Sequence, residues 1–241
     1  MKQQLVELPA KNKVIFVGDT HGDTESSEKV IESYLKPHHK IVFLGDYVDH
    51  RLDSKGNIDY LLKMRQDNPE QIYLLLGNHE GFPIVGCKPC DFWDSLDTNE
   101  MQHYAKELST LPLAVSVGSI IALHGALPYV NSSDEINKIE DADTNWMAAV
   151  WGDFQEIVGG YAGTNSRGRP QFGRNHFEDI MHKLNKSILI RSHQSNAPKM
   201  MYNNKCLTIF TSSAYKRKRE IAIADLKKDI KSIDDIVIKE I

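Results

Sequence analysis

Three short stretches of this chain set acids, amides and imidazoles directly after an apolar run and a glycine. They read VIFVGDTHG at 14–22, KIVFLGDYVD at 40–49 and IYLLLGNHE at 72–80. Asp19 and His21 follow the first run, Asp46 and Asp49 the second, and Asn78, His79 and Glu80 the third. A glycine at the end of an apolar run lets the backbone turn sharply, so each cluster is expected at a strand tip facing a crevice. His124 and His193 likewise stand just past apolar runs. On an extended exit, residues two apart point the same way, so Asp19 and His21 can reach one cation together. Asp46 can bridge that cation to a second through its two oxygens, and Asn78 adds a neutral amide oxygen. Asp19, His21, Asp46, Asn78, His124 and His193 form an oxygen and nitrogen set without thiolate, which suits manganese, iron or zinc and is large enough for two ions. Two divalent ions about 3.5–4 Å apart are the usual clamp for in-line attack on phosphorus, because they activate a water and stabilise the developing charge.

Such convergence needs a scaffold, and the patterning supplies one. Runs as apolar as IVFL at 41–44 read as strands buried on both faces. Between them, 23–36 carries Val30, Ile31, Tyr34 and Leu35 at helical spacing before Pro37, and 57–66 carries Ile58, Leu61, Leu62 and Met64 before Asn68-Pro69. The order βαβαβ demands parallel strands with crossover helices, which puts the three glycine turns on one edge of the sheet. Further on, 91–108 is expected to be helical. The stretches 113–117 and 120–123 read as a hairpin around Gly118-Ser119, and 131–150 as a loop and helix. A glycine-rich connection at 159–173, a short helix at 176–184 and a strand at 187–191 come next. The chain closes with a hairpin of 199–202 and 205–210 around Asn203-Asn204 and strands near 220–224 and 233–238.

The 241 residues, 41% hydrophobic and 26% charged, lie in the range of a single domain spanning 1–241. The start, MKQQLVELPAKNK, has no apolar run of signal-peptide length and no later run approaches a membrane span, so a cytoplasmic protein without membrane contact is expected. Three cysteines argue against a disulfide framework; Cys87-Lys-Pro-Cys90 is half of a four-cysteine zinc site and reads as a structural loop. Residues 161–220 carry 12 Lys or Arg against 3 Asp or Glu, whereas 1–160 carry 13 against 25. A basic segment facing an acidic one suits an anionic substrate, and also suits a solvated face. The run Lys216 to Arg219, KRKR, reads as an exposed face beside an edge strand, and no nucleic-acid partner is expected. His38, His39, His103, His176 and His182 fall outside the clusters and read as surface or core.

GDTHG, GDYVD, GNHE, LHGAL, SRGRPQFG, RSHQ and TSSAY occur in this order. Together they resemble the motif series of the PPP-type metallophosphoesterases, which include protein serine/threonine phosphatases and compact prokaryotic members. The likeness runs from about Val14 to Tyr215. It implies an α/β fold, a central β-sandwich flanked by helices, with a two-metal site at the strand ends. By matching position, Asp19, His21 and Asp46 would hold one divalent ion, most simply manganese, and Asp46, Asn78, His124 and His193 the other. His79 matches the general acid, with Asp49 orienting it. Arg167 matches an arginine gripping the phosphoryl oxygens, and Tyr215 a tyrosine lining the site. The implied reaction is hydrolysis of phosphoserine or phosphothreonine in a phosphoprotein or phosphopeptide by a metal-activated water. A symmetrical dinucleoside-polyphosphate hydrolase would share the metal motifs, and a catalytically inactive binding module is the alternative of another class. One departure stands out: the usual pattern continues GDxVD with Arg-Gly, but here Asp49 is followed by His50-Arg51. His50 is expected to take the place of the phosphate-gripping arginine, losing charge near pH 6.5 unless an anion raises that value, unless the loop shifts to bring Arg51 inward.

Overall fold

In the computed structural model, which describes residues 2–51, 53–215 and 218–241, the apolar runs become strands with two different faces to satisfy. The first strands are β1 (Leu5–Leu8), β2 (Lys13–Val17), β3 (Lys40–Phe43) and β4 (Ile72–Leu74). They are followed by β5 (Ala114–Val117), β6 (Ile120–Leu123), β7 (Asp153–Phe154), β8 (Tyr161–Thr164), β9 (Pro170–Phe172) and β10 (Ile188–Arg191). The last are β11 (Met200–Met201), β12 (Cys206–Thr208), β13 (Glu220–Asp225) and β14 (Val237–Glu240). Among the described residues, one sheet runs β1-β5-β6-β10-β12-β11 and the other β14-β13-β2-β3-β4. Val14, Phe16, Val42 and Leu44 pack with Val115, Ile120, Ile188, Ile190 and Leu207 between the two sheets. Their neighbours Ile15, Val17, Ile41 and Phe43 point the opposite way and pack under helices. Alternate residues therefore enter different apolar layers, and that is why these strands are apolar without interruption.

The helices are α1 (Thr24–Tyr34), α2 (Ser54–Asp67), α3 (Asp91–Asp94), α4 (Thr98–Leu108), α5 (Ser133–Ile136), α6 (Thr144–Trp151) and α7 (Arg174–Lys183). β2, β3 and β4 pair in parallel, with Val17 beside Phe43 and Phe43 beside Leu74, so their glycine turns lie on one edge as the βαβαβ pattern requires. On that same edge β6 and β10 of the other sheet end, also paired in parallel. An isolated parallel bridge between Asp19 and Phe210 joins the two sheets there, and the Thr211 N–H donates to the Asp19 carbonyl at 3.1 Å.

Several elements differ from expectation. The 91–108 helix is two: after α3, Asp97 caps α4 through a reciprocal capping box with Glu100, which restarts the helix. The glycine-rich connection contains β8 and β9, which with β7 make a third, small sheet. Its composition of Gly, Thr, Asn and Pro hides two short strands, β8 largely exposed and β9 half-buried with Phe172 turned inward. The 131–150 region holds two short helices separated by a turn. At the end, Ile233–Asp235 is a 3₁₀ turn capped by Ser232, so the last strand begins only at Val237. β1 carries no glycine or ligand signal and was not anticipated; Leu5 pairs with Ala114 in parallel. No helix among the described residues is long and apolar enough to cross a membrane.

Candidate metal centre

The exits from the strands are not extended. His21, Asp46, Asp49, His50 and His193 all have φ between 44° and 66°, in the left-handed region that non-glycine residues enter only when their surroundings over-determine it. Asp19 and His21 therefore converge through a tight turn, not through the alternation expected of an extended exit. The turn is closed by the His21 and Gly22 N–H groups, which donate to the carbonyls of Asp46 and Tyr47 at 2.9 and 2.8 Å.

Each imidazole is fixed by the bond its outer nitrogen makes. His21 Nδ1 lies 2.7 Å from the Val48 carbonyl, His124 Nδ1 3.0 Å from the Leu44 carbonyl, and His193 Nε2 3.2 Å from the Trp151 carbonyl. A nitrogen facing a carbonyl must carry the proton, so the other ring nitrogen of each points inward for use as a ligand. His79 is held differently. Its Nδ1 faces Asp49 Oδ2 at 2.6 Å, and the other oxygen of Asp49 accepts from the Phe92 N–H at 2.7 Å. Burial works against charge on His79, but Asp46 and Asp49 outweigh it and hold the imidazolium well above the ordinary histidine range.

Asp46 sits at the centre. Its Oδ1 is 3.3 Å from His124 Nε2, and its Oδ2 is 3.6 Å from His21 Nε2. Asp19 with His21 and Asp46 forms one ligand-competent cluster, and Asp46 with His124 and His193 another, so Asp46 belongs to both. Asn78 is buried with its Oδ1 3.2 Å from His124 Nε2, beside the second cluster. These residues fit a pair of cations. Asp19 Oδ2 is buried with no hydrogen-bond partner. Burial, and then Asp46, push the Asp19 carboxyl up to about 7, the signature of two buried carboxylates facing each other with nothing positive between them. Burial pushes His21 down to about 3, so it is a neutral donor.

Around this centre the remaining expected residues fall unevenly. His50 is exposed, yet its ring stands 4.5 Å from that of His21 and 5.2 Å from that of His79, at the mouth of the centre. Burial and the neighbouring His79 lower its pKa, so its charge is confined to a more acid range than the value near 6.5 expected from sequence. Arg51 is exposed and donates from Nη2 to Ser213 Oγ at 2.8 Å, with no inward turn. Tyr215 brings its hydroxyl to 2.7 Å from His21 Nε2. Arg167 is exposed on the β8–β9 loop, where its backbone N–H donates to Asn165 Oδ1. On the same loop Arg169 is tied to the centre: Nη1 is 3.8 Å from Asp153 Oδ1, which is 3.6 Å from His193 Nε2. Cys87 is buried and Cys90 half-buried, and both thiols are free. Of the KRKR run, Lys216 and Arg217 lie outside the described residues; Lys218 is exposed and pairs with Glu240 at 2.6 Å, and Arg219 reaches Glu25 at 3.5 Å.

Sequence reasoning passed over three residues that hold the centre in place. Glu80 is buried and accepts from the Asp46 and Tyr47 N–H groups, both at 2.8 Å, and from the Gly77 N–H at 3.1 Å, which locks the β3 exit to the β4 exit. Arg191, fully buried, donates to the Gly125 and Gly152 carbonyls and to Gln194 Oε1, binding together the loops that carry His124, Trp151 and His193. Ser192 Oγ accepts from the Asp19 N–H at 2.9 Å and donates to the Ile209 carbonyl at 2.7 Å. Their signal was their place inside GNHE and RSHQ, beside residues whose chemistry drew more attention.

The calcineurin-like phosphoesterase family model matches residues 12–196. Over 224 residues the chain is 28% identical to the serine/threonine-protein phosphatase 6 catalytic subunit of Drosophila melanogaster, covering 86% of this chain and 73% of that protein. A Saccharomyces cerevisiae protein serine/threonine phosphatase with similarity to human phosphatase PP5 superposes with a TM-score of 0.82 at 20% identity, over 99% of this chain and 83% of that one. A putative diadenosine tetraphosphatase superposes with a TM-score of 0.58 at 16% identity, over 99% and 98%. At such identities the two structures speak for the fold alone.

Proposed function

Because the chain belongs to the calcineurin-like phosphoesterase family and is a distant relative of the serine/threonine protein phosphatases, we propose that it hydrolyses phosphoserine and phosphothreonine esters in proteins. The observation that carries the chemistry is the division of labour around Asp46: three histidines whose outer nitrogens meet carbonyls, leaving the inner ones for ligation, and one whose Nδ1 meets Asp49 instead, leaving Nε2 to carry a proton. Asp19, His21 and Asp46 would hold one divalent ion, and Asp46, Asn78, His124 and His193 the other, with manganese, iron or zinc all suited to these donors. When bound, the pair would activate a water and neutralise phosphoryl oxygens.

The chain's own residues do the rest. His79 offers a proton from Nε2, which lies 3.9 Å from Asp46 Oδ2 on the inward side, to the departing alkoxide. Asp49 orients the ring through Nδ1, and its own carboxylate and backbone are held by the Phe92 N–H and by Ser54 Oγ. His50 would meet a phosphoryl oxygen with one N–H, where an arginine would offer two. Arg169, with Arg167 at the loop tip, would approach from the His193 side. The Tyr215 hydroxyl, now 2.7 Å from His21 Nε2, would be available to the substrate where that nitrogen serves as a ligand.

A protein substrate is supported by the likeness to the fly phosphatase catalytic subunit. The test is a side-by-side assay of the manganese-loaded protein on phosphoserine and phosphothreonine peptides and on diadenosine tetraphosphate. Faster release of phosphate from the peptides is expected; faster cleavage of the dinucleotide would overturn the substrate class.

A further inference from the structure

His79 has a second face, turned away from Asp46, and a thiol stands on it. Cys87 Sγ lies 3.6 Å from His79 Nδ1, the nitrogen that also meets Asp49 Oδ2 at 2.6 Å. The ligand-capable atoms of Asp49, His79 and Cys87 all lie within 4.8 Å of one another, and all three residues are buried. They come from three separate segments: the β3 exit, the β4 exit and the loop before α3. In a tetrahedral zinc site, with Zn–S about 2.3 Å and Zn–N about 2.0–2.1 Å, sulfur and nitrogen stand about 3.6 Å apart. The observed separation already matches that edge. Oxygen and nitrogen ligands of the same tetrahedron are about 3.3 Å apart, so the Asp49 carboxylate has to withdraw by less than about 1 Å. Charge matches as well: a carboxylate and a thiolate neutralise a divalent cation, so the buried ion carries no net charge with it. Three residues after Cys87, the half-buried Cys90 gives the loop the C-x-x-C spacing of zinc sites and lies toward solvent, with its Sγ 3.3 Å from Asp94 Oδ2.

We propose that Asp49, His79 and Cys87 form an inhibitory site for a thiophilic divalent cation such as zinc, separate from the two-ion centre. Binding displaces the Cys87 thiol proton and the His79 Nδ1 proton to solvent, with no change of oxidation state. The imidazole then coordinates through Nδ1. It keeps an Nε2–H, but the ring loses the Nδ1–Asp49 hydrogen bond that orients it and is drawn toward the Cys87 side, so Nε2 no longer delivers its proton to the leaving group. Inhibition should therefore fall on esters that need a proton for their leaving group and spare those that do not. That consequence rests on the general-acid reading of His79; occupation of the site does not.

Cadmium is the probe for occupation, because a thiolate-to-cadmium absorption band cannot arise from the two-ion centre, which has no thiolate. Titration of the manganese-loaded full chain should raise that band in the wild type and in Cys206→Ala, whose thiol lies in β12, and leave it absent in Cys87→Ala. A band that survives Cys87→Ala, or no band in the wild type, overturns the site. If melting curves show that Cys87→Ala does not fold, Cys87→Ser keeps the volume without the soft donor and carries the same expectation. In turnover, zinc should slow the wild type more on an alkyl phosphate than on p-nitrophenyl phosphate, and Cys87→Ala should remove that difference. Equal inhibition of both esters overturns the inhibitory role. A protein inactive on every phosphoester but showing the Cys87-dependent band would sink the proposed activity and leave the cation site standing.

Discussion

A Cβ built on Gly18 would lie 2.3 Å from the Ile209 carbonyl oxygen, one on Gly45 2.7 Å from the backbone of Gly77, and one on Gly77 2.3 Å from the backbone nitrogen of Asp46. On Gly159, Gly160, Gly163 or Gly168 it would meet nothing within 4 Å. Both groups look like turn glycines in the sequence, yet the reasons for them are opposite. At the strand exits glycine is present because backbones must nearly touch for Asp19, Asp46 and Asn78 to converge; around β8 and β9 it leaves an open hairpin over the edge of the site. The difference teaches that one set of glycines is fixed by its surroundings and the other is left open by them. The crowded turns leave one arrangement for the candidate ligands, while the glycines of the open hairpin can be replaced without disturbing them, although its Arg169 reaches the centre through Asp153.

Alanine at Gly45 should break the crowded region most severely. Its φ of 110° is unfavourable for a side chain, and the new methyl would also meet His124 Nδ1 at 2.8 Å. Overpacking and left-handed strain each cost about 1–3 kcal/mol, so a loss of roughly 3–5 kcal/mol in urea-unfolding free energy is expected, with loss of bound metal. Stability within about 1 kcal/mol of wild type would show that the close approach is not what the glycine serves.

Next comes His79→Ala, which leaves the ligands in place. Removing a general acid typically costs about 10²–10⁴-fold, and the loss should be large on a phosphopeptide and much smaller on p-nitrophenyl phosphate. Equal losses on the two esters would contradict the role of His79 and, with it, the contrast between carboxylate-backed and carbonyl-backed rings.

The smallest effect is expected in the open hairpin. Gly160→Ala meets no atom and its φ is not in the left-handed region, so unfolding stability should move by no more than about 0.5 kcal/mol and turnover should be unchanged. A large loss there would erase the distinction between the two groups of glycines.

Much of this centre was legible because strand patterning and ligand chemistry coincide. The runs before Gly18, Gly45 and Gly77 are apolar on both faces, which forces burial, and the polar residues after them stand where the strands stop. What could not be read is what depends on backbone conformation. The left-handed φ values of His21, Asp49 and His50 defeat any argument from alternation, so the placing of the exposed His50 ring against His21 and His79 and the turn of Arg51 toward Ser213 are findings of the structure. The strands β8 and β9 were hidden because they are only four and three residues long and β8 is largely exposed, so Phe172 alone gives no apolar pattern. Arg169 was overlooked because its tie to His193 runs through Asp153, 16 residues away in sequence. Glu80 and Arg191 act on backbone groups, a role that residue type alone does not announce.

The central claim is that Asp46 unites two cation sites, since its two oxygens face different histidines. It is tested most directly by metal content and turnover measured together on purified wild type and Asp46→Asn after loading with manganese and removal of free metal. The account predicts two ions per wild-type chain, and for Asp46→Asn a folded protein that has lost at least one ion and nearly all activity. Two retained ions with near-normal turnover in Asp46→Asn would contradict it.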